Sequence, residues 1–588
     1  MLSKYPASHG MMGANRPTLY ADFMSGSLIL GRGGVLPSFT NTTVRTITDQ
    51  DLVVRQVLSG EARFGGFRRV RNWCFDSQDV TSAFWTKTAA GTGSAPVVTA
   101  NYTAAPDGTL TADRVQFDRG AGASVGDVSL LTMANNTPTA FGNNCVSVWL
   151  KTNDGTTKQI AFSIAGANEV ILNVTGIWIR YSVFYAPSNI FNGRIGLRGN
   201  IATSQTADLA VWGGQHEDTT GQSNQNPAEY VSVGVLSAPY QGANVDGVQY
   251  FPYLNGNTVA SNVVTEARGA NISSSILGGY LPEPAATQLV TPLASVRNLT
   301  DASWVKTSCT AAQTAVGADG VANKGSTITG TAINWTCLQT LVAAATSRTV
   351  SMLVRRRTGT GAIFLLQNAT ALDITAAINS TTYTLVQLNA NVLNSAFGIG
   401  GSVSGDAVDV DFVQFEAGNV TGLVNSRIPD SISVRSADVL TYATTGWLNA
   451  AAGTLYAEFF NSTNTGASAI SAVLNNGTAN NFVRTYRSST GGTAFADVAD
   501  GGVTQSNLSV GAVATGAPQK IVSVYQANDF AGFVNNTSLG TDVAGTIPAL
   551  TQLDIGHQNG GALLGHYVRK VAYYPIRMLS GTAQGLTL

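Results

Sequence analysis

The sequence predicts an all-β protein, built as tandem antiparallel β-sandwich (jelly-roll) domains with a further sandwich at the C-terminal end. Three observations predict it. The first is a phrase written twice, as NWCFDSQDVTSAFWTK (72–87) and NLTDASWVKT (298–307). APDGTLTADRVQF, VSVWLK and VWGGQHE follow the first copy, and GADGVANK, VSMLVR and VDFVQFE follow the second. The offset falls from 226 (Asn72 to Asn298) to 204 (Ser147 to Ser351) and 199 (Gln215 to Gln414), the mark of one fold repeated with shorter loops. The second observation is composition. With 11% charged residues, 63 glycines and 44% hydrophobic residues, the chain suits half-buried strands and tight turns, not amphipathic helices. The third is the period-two alternation of IWIRYSVFY and DLAVWGG, punctuated by PDG and NDG turns.

In chain order, residues 1–72 read as an N-terminal attachment segment. It carries nine Lys or Arg against four Asp or Glu, a basic balance suited to an acidic partner surface. TVRTITDQDLVVRQV within it reads as two strands about an Asp-Gln-Asp turn. The segment is too short for a core of its own and is expected to lean on the first domain, on symmetry mates or on another protein. Residues 73–232 form the first repeat. Residues 233–296 are a linker with short strands, where Pro282 and Pro284 bar a central strand. Residues 297–430 are the second repeat and 431–588 another sandwich, with GTLYAEFF, KIVSVYQ and DFAGFVNN as strands.

Several functions lack support. A net charge of −1 gives no general attraction to nucleic acid, and no run of eighteen apolar residues predicts membrane insertion. MLSKYPASHGMMG has no apolar core of a signal peptide. Four cysteines show no CxxC spacing, so free thiols are the expectation, with a Cys309–Cys337 bridge as the alternative. His9, His216, His557 and His566 form no zinc motif. No E-x-D-x-E triplet stands on a strand. Asp409 and Asp411 share a face, but no glutamate follows them, so the chain is expected not to be an enzyme and to need no cofactor.

The motifs RN…W.K, PDG..TAD, VSVWLK, VWGGQHE and AEYVSVG resemble the jelly-roll modules of tailed-bacteriophage tail fibres and minor tail proteins, modules similar to carbohydrate-binding modules. GTLYAEFF, LDIGHQNGG and VRKVAYYPIRML resemble a concanavalin- or laminin-G-like sandwich. The resemblance covers most of residues 40–588. It implies a virion structural protein, a tail fibre or similar appendage made in the host bacterial cytoplasm. Such a protein would attach to other virion proteins by its basic N-terminal region and contact host surface polysaccharide. A homotrimer is expected, since fibre subunits do not bury their sheet edges alone. The alternatives are a head-decoration or connector protein that binds no glycan and, third, a polysaccharide depolymerase.

Sugar recognition needs aromatic faces flanked by amides and carboxylates. The candidates are Trp178, Trp212, Tyr250 and Tyr253. Trp85 and Trp304, at matched places in the two copies, read as core. Modules of this type often hold a structural calcium, and Asp107, Asp113 and Asp208 are the candidate ligands, although Asp in a PDG turn first serves the turn.

Overall fold

The computed structural model describes residues 16–588 apart from 27, 29, 31, 50–51, 58, 66, 134–142, 165–166, 186–191, 202, 221–224, 235–242, 244, 247, 251–264, 273–277, 418–432, 461–468, 489–491, 515 and 562–566. Nearly every described element is a strand, the one α-helix among the described residues being Ser580–Gly585, and all ladders are antiparallel. The all-β sandwich expectation is met.

The duplication is visible strand by strand. In the first repeat one sheet runs Ala167–Val174, Lys158–Ile164, Gly193–Arg198, Val128–Met133, Trp85–Ala90. Its mate runs Ile179–Tyr185, Asn144–Thr152, Thr206–Asp218, Ala112–Asp118, Ser94–Thr103. The second repeat has the same two orders. One sheet is Thr370–Asp373, Ile363–Gln367, Ala396–Gly401, Trp335–Thr340, Val305–Thr307. The other is Thr384–Val392, Thr346–Thr358, Ala407–Ala417, Gly325–Gly330, Cys309–Ala315. Register agrees too: Ser147 faces Gln215 and Ser351 faces Gln414, and a bulge follows each pair. Gly213 (φ +67°) and Phe412 (φ +47°) take the left-handed conformation at that bulge. Glycine adopts it freely, whereas a Cβ-bearing residue is strained there.

Trp85 and Trp304 are core residues. Each indole N–H donates to a carbonyl nine residues earlier, Asp76 O (2.9 Å) and Ser295 O (3.0 Å). The ammonium two residues on closes the same turn, Lys87 onto Thr81 O and Ser82 O, Lys306 onto Thr300 O and Asp301 O. These contacts set the copies 219 residues apart at this point and correct the pairing of Asn72 with Asn298. The counterpart of Asn72 is Gln288. Asn72 donates to Gly214 O and accepts from His216 N, while Gln288 donates to Val413 O and accepts from Phe415 N.

His216 and Phe415 therefore hold one buried position. His216 donates from Nε2 to Asn144 Oδ1 (2.9 Å), and burial holds its imidazole down to about 3. The unfolded chain takes up this proton near 6.5, the folded chain only near 3. The unfolded state thus binds the extra proton in between, and stability falls as pH drops through that window and is level above it. We expect His216→Phe to flatten the slope of melting temperature against pH between about pH 6 and pH 4. An unchanged slope would place the acid sensitivity elsewhere.

The C-terminal sandwich is assembled from distant parts of the chain. Its first sheet runs Thr537–Asp542, Asp529–Val534, Pro518–Gln526, Ala452–Phe460, Tyr567–Tyr574, Gly279–Tyr280, Phe64–Gly65, and Leu19–Asp22 also pairs with Tyr567–Tyr574. Its second runs Ser38–Thr40, Val439–Ala443, Gln552–Ile555, Ala469–Asn475, Phe482–Arg487, Thr493–Asp500, Val503–Ala512. The expected pair of strands forms, Arg45–Thr48 on Val54–Val57, and Val54 N donates to Ala318 O of the second repeat. The leader thus leans on the last sandwich and the second repeat, and its end at Asn72 also bonds to Gly214, His216 and Val231 of the first. The first repeat hangs from a ribbon in which Phe67–Asn72 pairs with Thr265–Ile272.

Four of the leader's nine cations find acids within the chain. Arg45 meets Asp438 (2.8 Å), Arg55 meets Asp49 (3.0 Å), Arg63 meets Glu283 and Asp438 (both 2.7 Å), and Arg69 meets Glu61 (3.3 Å). Paired in this way, these four guanidinium groups offer little free charge to a partner, whereas Arg16 and Arg32 of the same segment are exposed. Cys74, Cys145, Cys309 and Cys337 are free thiols.

Candidate functional site

In the second sheet of the first repeat, Val146, Val148 and Leu150 enter the core. Alternation then sends Ser147, Trp149 and Lys151 to the outer face. Two rows cross this face. In one, Arg180 faces Trp149 and Trp149 faces Trp212. In the other, Lys151 faces Ala210 and Ala210 faces Arg114, while Trp178, just before strand Ile179–Tyr185, stands beside Lys151.

The first row is closed. Tyr230 lies on Trp212 with ring centroids 4.8 Å apart, and its hydroxyl meets Ser77 Oγ at 2.8 Å. The segment carrying Tyr230 is held by its backbone. Gln215 accepts from Val231 N (2.7 Å) and donates to Glu229 O (3.0 Å), and Glu217 accepts from Ala228 N (3.0 Å). Gly213 lets the rings approach, since a Cβ there would lie 2.9 Å from Trp149 and 3.3 Å from Tyr230. Trp212 is 0% exposed and offers no face to a ligand. Its selection as a sugar platform is corrected: the residue that covers it lies eighteen positions on, beyond the reach of strand alternation.

The second row is open at one end of the sandwich. Trp178 is half-buried, its indole N–H donates to Ala104 O (3.1 Å), and Ile177 beside it is 68% exposed. Lys151 Nζ stands 5.0 Å from the Trp178 ring centroid and within 3.5 Å of Thr103 Oγ1. Across the row the Arg114 guanidinium grips Asp208 through Nε (3.0 Å to each oxygen) and lies 5.0 Å from the ring of Tyr102, itself 46% exposed. Asn153 Nδ2 also donates to Asp208 (2.7 Å). Three turns border this end, at 104–111, 153–156 and 175–178, and a Cβ on Gly176 would lie 3.0 Å from Gly155 Cα. The result is an indole edge, a phenol ring and an ammonium around one opening, bordered by the Arg114–Asp208–Asn153 network, and aromatic faces beside a cation are groups that saccharide rings and hydroxyls can meet.

Trp178 is thus the one aromatic sequence candidate among the described residues that reaches the opening, and Asp208, a candidate for calcium, borders it. The Tyr250 side chain and Tyr253 lie outside the described residues; the backbone of Gln249–Tyr250 pairs with Thr265–Ile272. The three carboxylates proposed for calcium do not converge, and among the described residues no group of three His, Cys, Asp or Glu side chains assembles. Asp107 caps its own turn through Thr109 N and Oγ1 (3.0 and 2.6 Å). Asp113 is buried and accepts from Val80 N and Asn101 N (2.7 and 2.8 Å), and burial pushes its carboxyl up. Asp208 is held below the usual carboxylate range by its hydrogen bonds to Arg114. Each carboxylate already has its donors, which is the reason for correcting the calcium assignment. Lys151, Asn153 and Tyr102 were not singled out from sequence. The signal was there for Lys151, because VSVWLK and VSMLVR end on a cation in both copies.

The second repeat carries the same row with other residues. Arg355 faces Tyr383, with the guanidinium 4.8 Å from the ring centroid. Asp409 stands where Ala210 does and binds both Arg355 (2.8 Å) and Arg357 (3.1 Å), so two of the three consecutive arginines share this face. Arg356 points the other way, to Asp406 (3.5 Å). In the neighbouring row Leu353, Phe412 and Asp411 replace Trp149, Gly213 and Trp212. Val54 of the leader packs there, and Arg297 binds Asp411 (2.8 Å) over the Phe412 ring (4.1 Å).

No family model and no curated relative matches the chain. Among solved structures, it is similar to the CBM40 of Ruminococcus gnavus IT-sialidase bound to α2,3 sialyllactose, at 12% identity over 24% of this chain and 83% of that one (TM-score 0.21). It is also similar to the tandem CBM22-1-CBM22-2 domain of Paenibacillus barcinonensis Xyn10C, at 10% identity over 60% and 98% (TM-score 0.19). A third is the heptameric SAP-like pentraxin of Limulus polyphemus, at 13% identity over 23% and 70% (TM-score 0.19). TM-scores this low bear on neither the site nor the function.

Proposed function

We propose that the chain is a non-catalytic structural protein of a tailed-bacteriophage particle, a tail fibre or similar appendage. It contacts host surface polysaccharide through the open end of its first sandwich. The virion setting, with manufacture in the host cytoplasm and assembly as a homotrimer, rests on the sequence resemblance alone. The glycan reading is carried by one observation, the half-buried Trp178 at an opening lined by Tyr102, Lys151, Asn153 and Asp208. The non-catalytic reading is supported by Asp409 and Asp411, each held by arginine.

Binding of the whole chain to host cells and to a glycan array tests it. Stacking and edge contacts of one indole contribute on the order of 1–3 kcal/mol, so Trp178→Ala should weaken binding by tenfold or more, measured at a temperature where the melting curve of the variant shows it still folded. Equal binding by wild type and variant would remove Trp178 from the site. A second reading, a connector that binds no sugar, is favoured by the covering of both inner rows by the chain's own residues, Tyr230 in one repeat and Val54 in the other. It predicts no binding to cells or array by either form. Loss of capsule viscosity on incubation would instead support a depolymerase.

A further inference from the structure

We infer that the opening at Trp178 selects a saccharide bearing an anionic group, and that Lys151 is the residue that receives that group. This rests on the glycan reading above and names the class of ligand within it.

The charges around the opening are unequal in how they are met. Arg114 and Asp208 neutralise each other through a two-pronged contact, further tied down by Asn153. Lys158, at the next turn, meets Asp154 at 3.2 Å. Arg180, in the closed row, meets Asp246 at 3.6 Å. Lys151 meets no carboxylate among the described residues. Its neighbours are the Trp178 ring and the Thr103 hydroxyl, the latter at the limit of hydrogen-bond length. Strand Asn144–Thr152 sets the direction of this side chain, and the indole lies beside its ammonium on a half-buried face.

The second repeat supplies an internal contrast. The same position carries Arg355 over Tyr383, but there Asp409 has replaced Ala210 and provides the anion. One copy thus holds its cation over an aromatic ring with a built-in carboxylate. The other holds it over an aromatic ring with the small Ala210 in that carboxylate's place. A ligand anion in the first repeat would occupy the role that Asp409 fills in the second. A carboxylate or a phosphate on a sugar would both serve, since each accepts charge-assisted hydrogen bonds from an ammonium.

The test is an array of matched oligosaccharides probed with the full chain. It pairs glucuronic with glucose-containing and galacturonic with galactose-containing oligomers, and adds phosphate-substituted counterparts of the same neutral sugars. Wild type is expected to bind at least one anionic member about tenfold or more tightly than its neutral partner. Whether the carboxylate or the phosphate members respond identifies the source of the anion. Lys151→Met should abolish the preference without abolishing residual binding to the neutral partner, and Lys151→Arg should restore most of it. Raising the salt concentration should weaken wild type more than Lys151→Met. Equal binding of neutral and anionic members, or a preference that survives Lys151→Met, overturns the inference and leaves the glycan reading standing. No binding of any saccharide overturns both.

Discussion

A chain that begins at residue 67 is expected to lose its C-terminal sandwich, although the residues deleted lie hundreds of positions away from it. The core of that sandwich contains Leu19, Phe23, Leu28, Leu30, Phe39 and Phe64 beside Leu455, Phe459, Val571 and Tyr573. At about 1.5–3 kcal/mol for each large apolar side chain buried, the six leader residues contribute roughly 10 kcal/mol or more. That matches the whole stability of an ordinary domain, about 5–15 kcal/mol. The deletion also uncovers the side of Tyr567–Tyr574 to which Leu19–Asp22 is bonded and removes Ser38–Thr40 from the edge of the opposite sheet. Loss of the near-ultraviolet circular dichroism of Trp447 and its neighbour Tyr573, together with loss of the cooperative transition assigned to residues 433–588, is the expected result.

Removal of the first repeat provides the control. Asn72 and Thr265 are already opposite each other in the ribbon, so replacing residues 73–264 by a two-residue Asn-Gly turn asks little of the rest. That chain should keep the C-terminal transition within a few degrees. If the chain lacking 1–66 melts like wild type, the leader strands are decoration and the sandwich is sufficient without them.

What was legible in the sequence was whatever the chain encodes locally. Alternation within VSVWLK and IWIRYSVFY set the faces of those strands, and the W.K phrase marked the same turn in both copies. The repeat is legible even though Asn72 and Asn298 are not counterparts, because Ser147/Ser351 and Gln215/Gln414 are. What was not legible depends on partners far along the chain. Trp212 looks like any outward tryptophan until Tyr230 is laid over it. The leader looks like a basic arm until Arg45 finds Asp438, 393 residues on, and Arg63 finds Glu283, 220 residues on. A charge surplus in one segment reports only that its partners lie elsewhere. It does not say whether they belong to this chain or to another.

The second large effect is expected where those partners meet. Arg45 and Arg63 from the leader, Glu283 from the middle of the chain, Glu416 from the end of the second repeat, and Arg435 and Asp438 from the bridge that follows are all essentially inaccessible to solvent. Arg63 stands between Glu283 and Asp438 at 2.7 Å from each and donates to Leu281 O (3.1 Å). Arg435 is forked onto Glu416 (3.0 and 3.1 Å). Three cations and three anions leave the cluster neutral. Burial alone would pull Arg63 down, but Glu283 and Asp438 raise it above its ordinary value. Arg45 shares Asp438 with Arg63 and is the less compensated of the two, so burial wins there and draws it down to about 10.

Removing one member strands the others. Arg63→Met should therefore cost about 3–5 kcal/mol in chemical denaturation, the usual penalty for leaving buried charge unpaired. Arg63→Lys should recover only part, because one ammonium cannot span both carboxylates as a guanidinium fork does. Arg63→Met combined with Glu283→Gln leaves Arg45 with Asp438 and Arg435 with Glu416, a balanced set. The double variant should be more stable than Arg63→Met alone, and the cycle should show a coupling on the order of 1–3 kcal/mol. Additive losses would mean that Arg63 acts by packing, through its stem, and that the pairing of charges is incidental to how the leader is held. A loss below about 0.5 kcal/mol for Arg63→Met, the size of an ordinary surface substitution, would show that the leader is held by its apolar strands alone.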